Sequence, residues 1–408
     1  MESRKIVGVS GLGLALLLGA QGAMAQVAVQ PQAIPFGSFI LVPTLVSQTV
    51  FDDNVYNFSS GEVSSFSQIL NPTLAFIAQD RLNVYSATYG LKAASFANDS
   101  DESYADQNFD LAAHIETSSR LRLDGGLSYG MLHDDRGTGA SSGLSLAQLY
   151  AMGEVDKYNT AGVRAGLEYG AKDARGLAVA NASMYQKRYS RDSSAVARDN
   201  DTLNTLLGLR ARVMPKTVVL IDYERIDTNF KSDVLKGGSP DTLDNRLLVG
   251  VSWENTAQTT GKLRLGQGKR EIDGADDISK FTWDLTGIWK PRVFDSVSVN
   301  AGARTSDASQ PYSSVENTHY SASWTHDWAS RFNTVLSLGF SNDDYELIPG
   351  VKDIARSDDT TTYGIAANYQ MRRWLVLTAG VNVSDRSSNV ANFDSQRNVM
   401  SVGAQISL

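Results

Sequence analysis

The chain has 408 residues, a formal net charge of −8 and no cysteine. The missing cysteines exclude disulfides and thiolate metal sites, and the acidic balance argues against nucleic acid as a partner. A soluble chain of this length would normally divide into roughly two or three domains, but no linker-like shift in composition interrupts this one. We therefore expect one large domain.

Residues 1–25 have the pattern of a secretory signal peptide. A basic pair, Arg4 and Lys5, precedes an apolar run from Ile6 to Leu18, and a small-residue cleavage site ends at Ala25. The apolar run is too short for a membrane-spanning helix, and no later stretch is longer. An exported protein without a helical anchor can still reside in a membrane as a closed β-barrel.

From about residue 38 to residue 408 the chain alternates apolar and polar residues in stretches of ten to fifteen. The segments LNVYSATYGL (82–91) and FTWDLTGIWK (281–290) are examples. Long alternating strands, separated in turn by short turns and long loops, are typical of an outer-membrane β-barrel. We predict an all-β, antiparallel, up-and-down transmembrane barrel over 38–408. It follows a short segment, 26–37, that leaves no room for a plug.

The breaks between the stretches predict the strand number. Eight are tight and fit periplasmic turns, near 79–81, 118–119, 171–175, 215, 256–259, 291–292, 329–330 and 371–372. Nine are long, near 53–64, 97–104, 134–158, 191–199, 231–240, 272–276, 306–313, 343–356 and 386–392. Seventeen connections give eighteen strands, with sixteen to twenty allowed because alternation blurs at 144–158 and 177–190. Barrels of this size enclose an aqueous lumen.

Two further features fit a barrel. The chain ends in alternating residues from Gly403 to Leu408, as in a C-terminal signal for the barrel-insertion machinery or simply in a last strand. Aromatic residues fall near strand ends, where the membrane interface favours amphipathic rings. These residues are Trp253, Trp283, Trp289, Trp324, Trp328, Trp374, Tyr129 and Tyr169.

Period-two geometry assigns side chains to the two faces of the wall. A charge on the lipid face costs about 2–4 kcal/mol for Arg or Lys at the midplane, so charged residues are expected to face the lumen. We consider two roles for them: a track that guides an anionic or heavily hydroxylated solute, or pairs between neighbouring strands that only hydrate the wall. The predicted lumen-lining residues are Arg122, Asp124, Arg164, Glu168, Arg210, Arg212, Asp222, Glu224, Asp244, Arg246, Arg264 and Arg304.

The longest break, 134–158, contains an apolar run bracketed by Gly143 and Gly153. The run lacks clean alternation and predicts a short helix. An apolar helix in a loop needs a surface to bury against. It either folds into the lumen and narrows it, or it packs on the rim of the barrel. The third interpretation is that the segment is a strand and not a helix. The predicted constriction residues are Leu146, Leu149, Tyr150 and Met152.

The remaining polar residues indicate no catalysis. The acidic clusters of the long loops lack the spacing of a calcium loop and are expected to be solvated rim charges. The four histidines, His114, His133, His319 and His326, have no partner at a spacing that singles out a catalytic set. We therefore predict neither catalysis, nor a cofactor, nor a metal.

Three segments resemble the outer-membrane β-barrel porins that are found with exopolysaccharide biosynthesis and export genes. The first is LVPTLVSQTVFDDNVYN, from Leu41 to Asn57. The second joins Tyr169-Gly170 to Ala174-Arg175-Gly176, and the third runs from Ala197 to Leu203 ahead of the turn Pro215-Lys216-Thr217. The similarity extends over most of the mature chain in order and spacing. It implies a barrel of about eighteen strands that passes secreted polysaccharide across the outer membrane.

These observations predict a channel in the outer membrane of a Gram-negative bacterium. The alternatives are a general diffusion porin for small hydrophilic solutes and a structural or surface barrel that does not conduct. The expected partners are outer-membrane lipid and lipopolysaccharide, the barrel-insertion machinery, polysaccharide cargo and periplasmic export proteins, but no nucleic acid.

Overall fold

The computed structural model describes residues 34–232, 238–256, 258–308, 311–348, 351–352 and 354–407. The predicted signal peptide and the terminal Leu408 lie outside the described residues.

The described residues form nineteen strands and two short α-helices. The helices are α1 (Leu146–Ala151) and α2 (Asp192–Arg198). The strands are β1 (Ile34–Phe36), β2 (Phe39–Asp52), β3 (Ser65–Asp80), β4 (Asn83–Phe96), β5 (Tyr104–Glu116), β6 (Leu121–Asp134), β7 (Asp156–Tyr169), β8 (Gly176–Tyr189), β9 (Asn200–Met214), β10 (Thr217–Phe230), β11 (Thr242–Thr256), β12 (Thr259–Ile272), β13 (Ile278–Arg292), β14 (Asp295–Asp307), β15 (Tyr312–Ala329), β16 (Phe332–Leu347), β17 (Ser357–Arg372), β18 (Leu375–Ser388) and β19 (Ser395–Ser407).

Strands β2 to β19 close into an antiparallel barrel. Each pairs with the next along the chain, and β19 returns to β2 in a register that runs from Val399–Asp52 to Ser407–Thr44. Closure leaves no open sheet edge in the membrane, which is how strands satisfy their backbone groups in lipid. The prediction of an eighteen-strand barrel is confirmed.

The connections sort by length between the two ends of the barrel, as predicted. The turns at one end are short, such as 81–82 and 215–216, whereas the loops at the other reach from 53 to 64 and from 135 to 155. Long loops lie on the extracellular side of outer-membrane barrels. Of the two blurred stretches of the sequence, 177–190 is the ordinary strand β8, whereas 144–158 holds helix α1 and only the first three residues of β7.

The short strand β1 lies outside the count of eighteen. It turns back at Gly37, whose φ of +62° favours glycine, and pairs with β2 from Ile34–Leu41 to Phe36–Phe39. Because β19 pairs with β2 only as far as Thr44, β1 takes the next positions along the same edge. It therefore extends the closing seam at the periplasmic end.

The two faces of the wall differ in chemistry. On β9 to β12, Leu207, Leu209, Leu247, Val249 and Leu265 are exposed on the outside, where lipid covers them. Their alternate neighbours point into the lumen and include most of the charged residues of these strands. Alternation of apolar-out and polar-in residues thus sets the register of the whole wall.

Exposed aromatic residues cluster near the periplasmic ends of the strands. Tyr169 ends β7, Trp289 lies near the end of β13, and Trp324 and Trp328 lie near the end of β15. This placement fits an interfacial belt, since an amphipathic ring sits well between lipid and water. Among the described residues, no helix has the length and apolarity needed to cross a membrane.

Candidate functional site: the lumen and its mouth

The structure places all twelve predicted lumen-lining residues on the inner face of the wall. Each alternates with exposed apolar residues or stands opposite another inward residue in the strand register, as Arg122 stands opposite Glu168 and Asp284 opposite Arg264. Their position follows from the period of the strands. Their role depends on the contacts that they make.

One sector of the wall carries a continuous charge network, which we call the paired wall. It consists of Arg210, Asp222, Glu224, Arg264 and Asp284 on β9, β10, β12 and β13. Arg264 Nη1 lies 2.5 Å from Glu224 Oε1 and 3.2 Å from Asp222 Oδ2, and its Nε lies 2.8 Å from Asp284 Oδ2. Arg210 Nη1 lies 2.5 Å from Asp222 Oδ1. Asp222 is fully buried between the two guanidinium groups.

Glycines let these arginines lie flat against the wall. Gly250 stands opposite Arg264 in the register, and a Cβ there would lie 2.8 Å from Arg264 Cγ. The missing side chain allows Arg264 to cross β11 and reach carboxylates on β10. The same device recurs at Gly126, where a Cβ would lie 2.4 Å from Arg164 Cζ. Arg164 crosses β6 and donates to both oxygens of Asp110 on β5, at 2.7 and 3.0 Å.

Most other predicted lumen charges are also paired or hydrogen-bonded. Arg122 is 4% exposed and donates to Glu168 at 2.6 Å. Arg212 donates to backbone carbonyls of Pro215 and Lys172. The remaining contacts join Asp124 to His114, Asp244 to Arg246 and Arg270, and Arg246 to the carbonyl of Thr305, whereas Arg304 is exposed to the lumen. The arrangement matches the reading in which charges on neighbouring strands pair, so few arginines are left free to hold an anion.

A different sector, the inner face of β6 to β8, carries several glycines between its larger residues, and we call it the glycine wall. Gly126, Gly130, Gly162 and Gly166 all face the lumen there. The side chains of β8 cover two of them: a Cβ on Gly162 would lie 2.6 Å from Tyr185 Cδ1, and one on Gly166 would lie 2.7 Å from Asn181 Oδ1. The glycines therefore make room for larger neighbours to lie along the wall.

Beside the glycine wall lies a recess of about 360 Å³ that sequence reasoning missed. It extends along the inner face from β6 to β10. Its wall offers one aromatic ring, amides, a hydroxyl and carboxylates: Tyr185, Asn181, Asn204, Ser183, Asp124 and Glu224. The only sequence signal was the row of alternate polar residues on β8, which by itself does not distinguish a recess from a flat wall.

The loop between β6 and β7, residues 135–155, enters the mouth of the barrel, and we call it the mouth loop. A Cβ on Gly137 would lie 1.9 Å from the carbonyl oxygen of Tyr56, in the loop between β2 and β3. A Cβ on Gly143 would lie 2.7 Å from the ring of Phe393, in the loop between β18 and β19. Four strands separate β6 from β19 around the wall, so the mouth loop crosses the opening as a chord.

Helix α1 lies within the mouth loop, so the strand reading of this segment is wrong. Ser145 caps it by accepting from the backbone N–H of Gln148, whose side chain returns to Ser145. The helix ends before Gly153, at φ +70°. Of the four predicted constriction residues, Leu149 is fully buried, Leu146 and Met152 are half-buried, and Tyr150 is exposed. That they narrow the lumen stays a prediction.

A buried polar cluster fastens the mouth loop to its neighbours. Arg136 Nη1 lies 2.8 Å from Glu102 Oε1, and both side chains are almost fully buried. The Tyr56 hydroxyl lies 2.9 Å from Asp99 Oδ2 and 3.2 Å from Glu102 Oε1. Burial raises the pKa of Glu102, while Arg136 opposes that shift; burial and the charge of Glu102 raise the pKa of Tyr56. Three loops thus meet in one cluster.

The acidic residues near the rim are less solvated than predicted. Asp52 accepts from Arg397 Nε at 2.9 Å, and Asp358 accepts from Arg356 Nε at 2.9 Å. Asp134 accepts from Arg198 and from the Tyr189 hydroxyl, at 2.6 and 2.8 Å. The expectation of solvated rim charges is therefore wrong for Asp52 and Asp358, which are 6% and 2% exposed. The loops fold onto the mouth, and a buried carboxylate needs a partner there.

Aromatic rings accompany several of these cations. Arg356 Cζ lies 3.7 Å from the centre of the Phe393 ring and 4.5 Å from that of Tyr345. On the other side of the mouth, Lys187 Nζ lies 3.9 Å from the ring centre of Tyr158. Cation–π contacts of this kind hold the loops without leaving bare charge at the opening.

The fold resembles solved outer-membrane barrels. OccK2 (OpdF) of Pseudomonas aeruginosa matches with a TM-score of 0.50 and 10% identity, covering 90% of this chain and 98% of OccK2. Its complex with glucuronate matches with a TM-score of 0.51 and 11% identity over the same shares. OccAB3 of Acinetobacter baumannii matches with a TM-score of 0.49 and 10% identity, covering 90% of this chain and 99% of OccAB3. At these identities the likeness is one of fold.

None of the curated proteins compared with the chain matches it. One protein family does, over residues 27–408, and it is described as "Putative beta-barrel porin 2". The match spans the entire barrel, whose inner face is lined largely by polar and charged residues. The chain therefore belongs to this family of outer-membrane β-barrel porins.

Proposed function

We propose that this porin is the channel through which a secreted exopolysaccharide crosses the outer membrane. One observation carries the proposal: the inner face of β8 presents a row of hydrogen-bonding and aromatic side chains that leads from the mouth into the lumen. The row is Lys187, Tyr185, Ser183 and Asn181. At about 3.4 Å per residue it spans roughly 20 Å, which is long enough to contact several sugar units at once.

The electrostatics of the lumen support a hydroxylated cargo. A polymer that slides needs many weak contacts, because one tight site would stop it. Paired charges present a polar surface without strong net attraction, and the carboxylates of the paired wall neutralise Arg264 and Arg210. This favours a chain rich in hydroxyl groups over a track that attracts anions through free arginines.

The resemblance of three sequence segments to porins of exopolysaccharide gene clusters supports the same cargo. The main rival is a general diffusion porin, which needs an open mouth and no extended row of contacts. The mouth loop crosses the opening, and a partly covered mouth favours a channel selective for one cargo over general diffusion.

Deletion of the gene tests the proposal directly. We expect the deletion strain to lose secreted polymer and to accumulate it in the periplasm, with recovery when the wild-type chain is supplied. A strain that secretes normally but takes up small hydrophilic solutes more slowly would instead identify a general porin. Planar-bilayer recording of the purified protein separates both from a structural barrel, which would pass no current.

A further inference from the structure

We propose that the recess between β6 and β10 is a subsite for one neutral pyranose unit of the passing polymer, with the ring of Tyr185 as its stacking surface. This inference rests on the proposed function, because it assigns a place where the polymer touches the wall. It is distinct from that function, since a polymer can pass a lumen that has no subsite.

The position of Tyr185 is unusual for a residue of the glycine wall. Its ring lies over Gly162, which stands directly opposite it in the register. A larger residue at 162 would push the ring away, because a Cβ there would lie 2.6 and 2.8 Å from Cδ1 and Cε1. The ring is therefore laid along the wall, and 37% of the residue stays exposed to the lumen.

The polar neighbours supply both donors and acceptors. Asn181 and Asn204 each carry an amide, and Ser183 carries a hydroxyl that lies 3.4 Å from Asn204 Nδ2. All three line the recess with Tyr185. An aromatic ring beside amides and a hydroxyl fits a pyranose, which has apolar C–H faces and a rim of hydroxyl groups. The volume of about 360 Å³ falls within the roughly 300–1,000 Å³ of small-molecule sites.

The charges around the recess favour a neutral sugar over a uronate. Two arginines line it, and both already have a carboxylate partner: Arg164 donates its two terminal nitrogens to Asp110, and Arg225 Nη2 lies 3.4 Å from Asp227 Oδ2. Glu224 accepts from Arg264, and Asp124 contacts His114 at 2.7 Å. A sugar carboxylate would have to displace a protein carboxylate from one of these pairs. Sugar hydroxyl groups can instead hydrogen-bond to the amides and to the carboxylate oxygens that face the lumen.

The experiment is single-channel recording of current interruptions by added oligosaccharides. The probes are maltohexaose as a neutral sugar chain and trigalacturonate as an acidic one. For the wild type we expect interruptions that are longer with maltohexaose. In Tyr185→Ala, loss of stacking should shorten them about 3–10-fold, whereas Tyr185→Phe should stay within about twofold of the wild type because it keeps the ring.

Two further variants make the test specific. Gly162→Ala should shift the Tyr185 ring and also shorten the interruptions, although it removes no polar group. Tyr223→Ala is the matched control, because Tyr223 is equally exposed, at 37%, but faces lipid on β10; its interruptions should equal those of the wild type. Heat-modifiable gel migration of each variant confirms that the barrel has folded.

The outcomes separate this proposal from the proposed function. If maltohexaose interrupts the wild type and Tyr185→Ala equally, or if trigalacturonate gives the longer events, the subsite is wrong while polymer passage still stands. If the deletion strain secretes normally, the proposed function is wrong even when Tyr185→Ala shortens the events. A wild-type channel that neither sugar interrupts overturns the subsite.

Discussion

The paired wall and the glycine wall show two ways of lining the same lumen. The paired wall concentrates charge in Arg264, Asp222 and their neighbours, and those charges form ion pairs with one another rather than facing the lumen unpaired. The glycine wall also carries charged residues, such as Arg164, but it leaves Tyr185 and the amides beside it open to the lumen. The number of charged residues in a sector is thus a poor guide to what that sector offers a solute.

The difference also changes how a charge reversal should be read. Replacing Arg210, Arg212, Arg246 and Arg264 together by Glu is the direct test of the hypothesis that lumen arginines guide an anionic solute. Three of these arginines contact carboxylates, and Arg210 and Arg264 both contact the buried Asp222. Reversal would bring several carboxylates together, so failed assembly is the expected result and would say nothing about cargo.

The largest expected effect comes from breaking the paired wall at its centre. Arg264→Ala leaves Glu224 and Asp284 without this partner and leaves Asp222 with Arg210 alone. Removing one member of a buried ion pair typically costs about 3–5 kcal/mol. We expect a clear loss of unfolding free energy in urea titrations read by gel migration.

Arg212→Ala is the matched control for Arg264→Ala. Arg212 lies on the same inner face but donates to backbone carbonyls, so its loss should cost about 1 kcal/mol. Equal stability of the two variants would contradict the view that carboxylate pairing holds this sector together.

A second prediction concerns the mouth, where the mouth loop meets the loops between β2 and β3 and between β18 and β19. Deleting residues 145–154 removes α1 and shortens the mouth loop that crosses from Gly137 to Gly143. If this segment constricts the lumen, single-channel conductance should rise several-fold in planar bilayers. Unchanged conductance, with a barrel that still migrates as folded, would place the segment on the rim.

Phe393→Ala serves as a milder version of the deletion. Phe393 contacts the backbone near Gly143 and the guanidinium of Arg356. Its truncation should loosen the far end of the mouth loop without shortening it. We expect a smaller rise in conductance and more frequent opening events than in the wild type.

The smallest expected effect comes from freeing a paired charge of the glycine wall, Arg164. In Gly126→Ala the new Cβ would lie 2.4 Å from Arg164 Cζ, so the flexible end of Arg164 must move away from Asp110. The freed guanidinium should shift the reversal potential in a salt gradient modestly toward anion selectivity.

Gly125→Ala is the matched control for that shift. Gly125 is the adjacent residue, and a Cβ there would have no heavy atom within 4 Å. Its selectivity should equal that of the wild type. An equal shift in both variants, or none in Gly126→Ala, would show that Gly126 does not hold Arg164 against the wall.

The sequence by itself determined the barrel. A side-chain period of two places Leu207 and Leu209 on one face and Arg210 and Arg212 on the other, whatever the strands pair with. Short and long breaks then give the number and direction of the strands, because antiparallel neighbours need only a turn. The helix at 146–151 was also predicted, since Gly143 and Gly153 bracket an apolar run that lacks clean alternation.

The tertiary structure decided what the inward residues do. The side-chain period and the sign of the charge do not tell whether Arg264 faces water or a carboxylate. Its partners Glu224 and Asp222 are 40 and 42 residues away on β10, which Arg264 reaches across β11. The recess depends on Gly162 lying beside Tyr185, a relation fixed by the register between β7 and β8. The buried loop charges likewise depend on contacts between loops far apart in sequence, such as Glu102 with Arg136. Local patterns specify faces and lengths, whereas pairing and burial arise only when distant strands are brought into register.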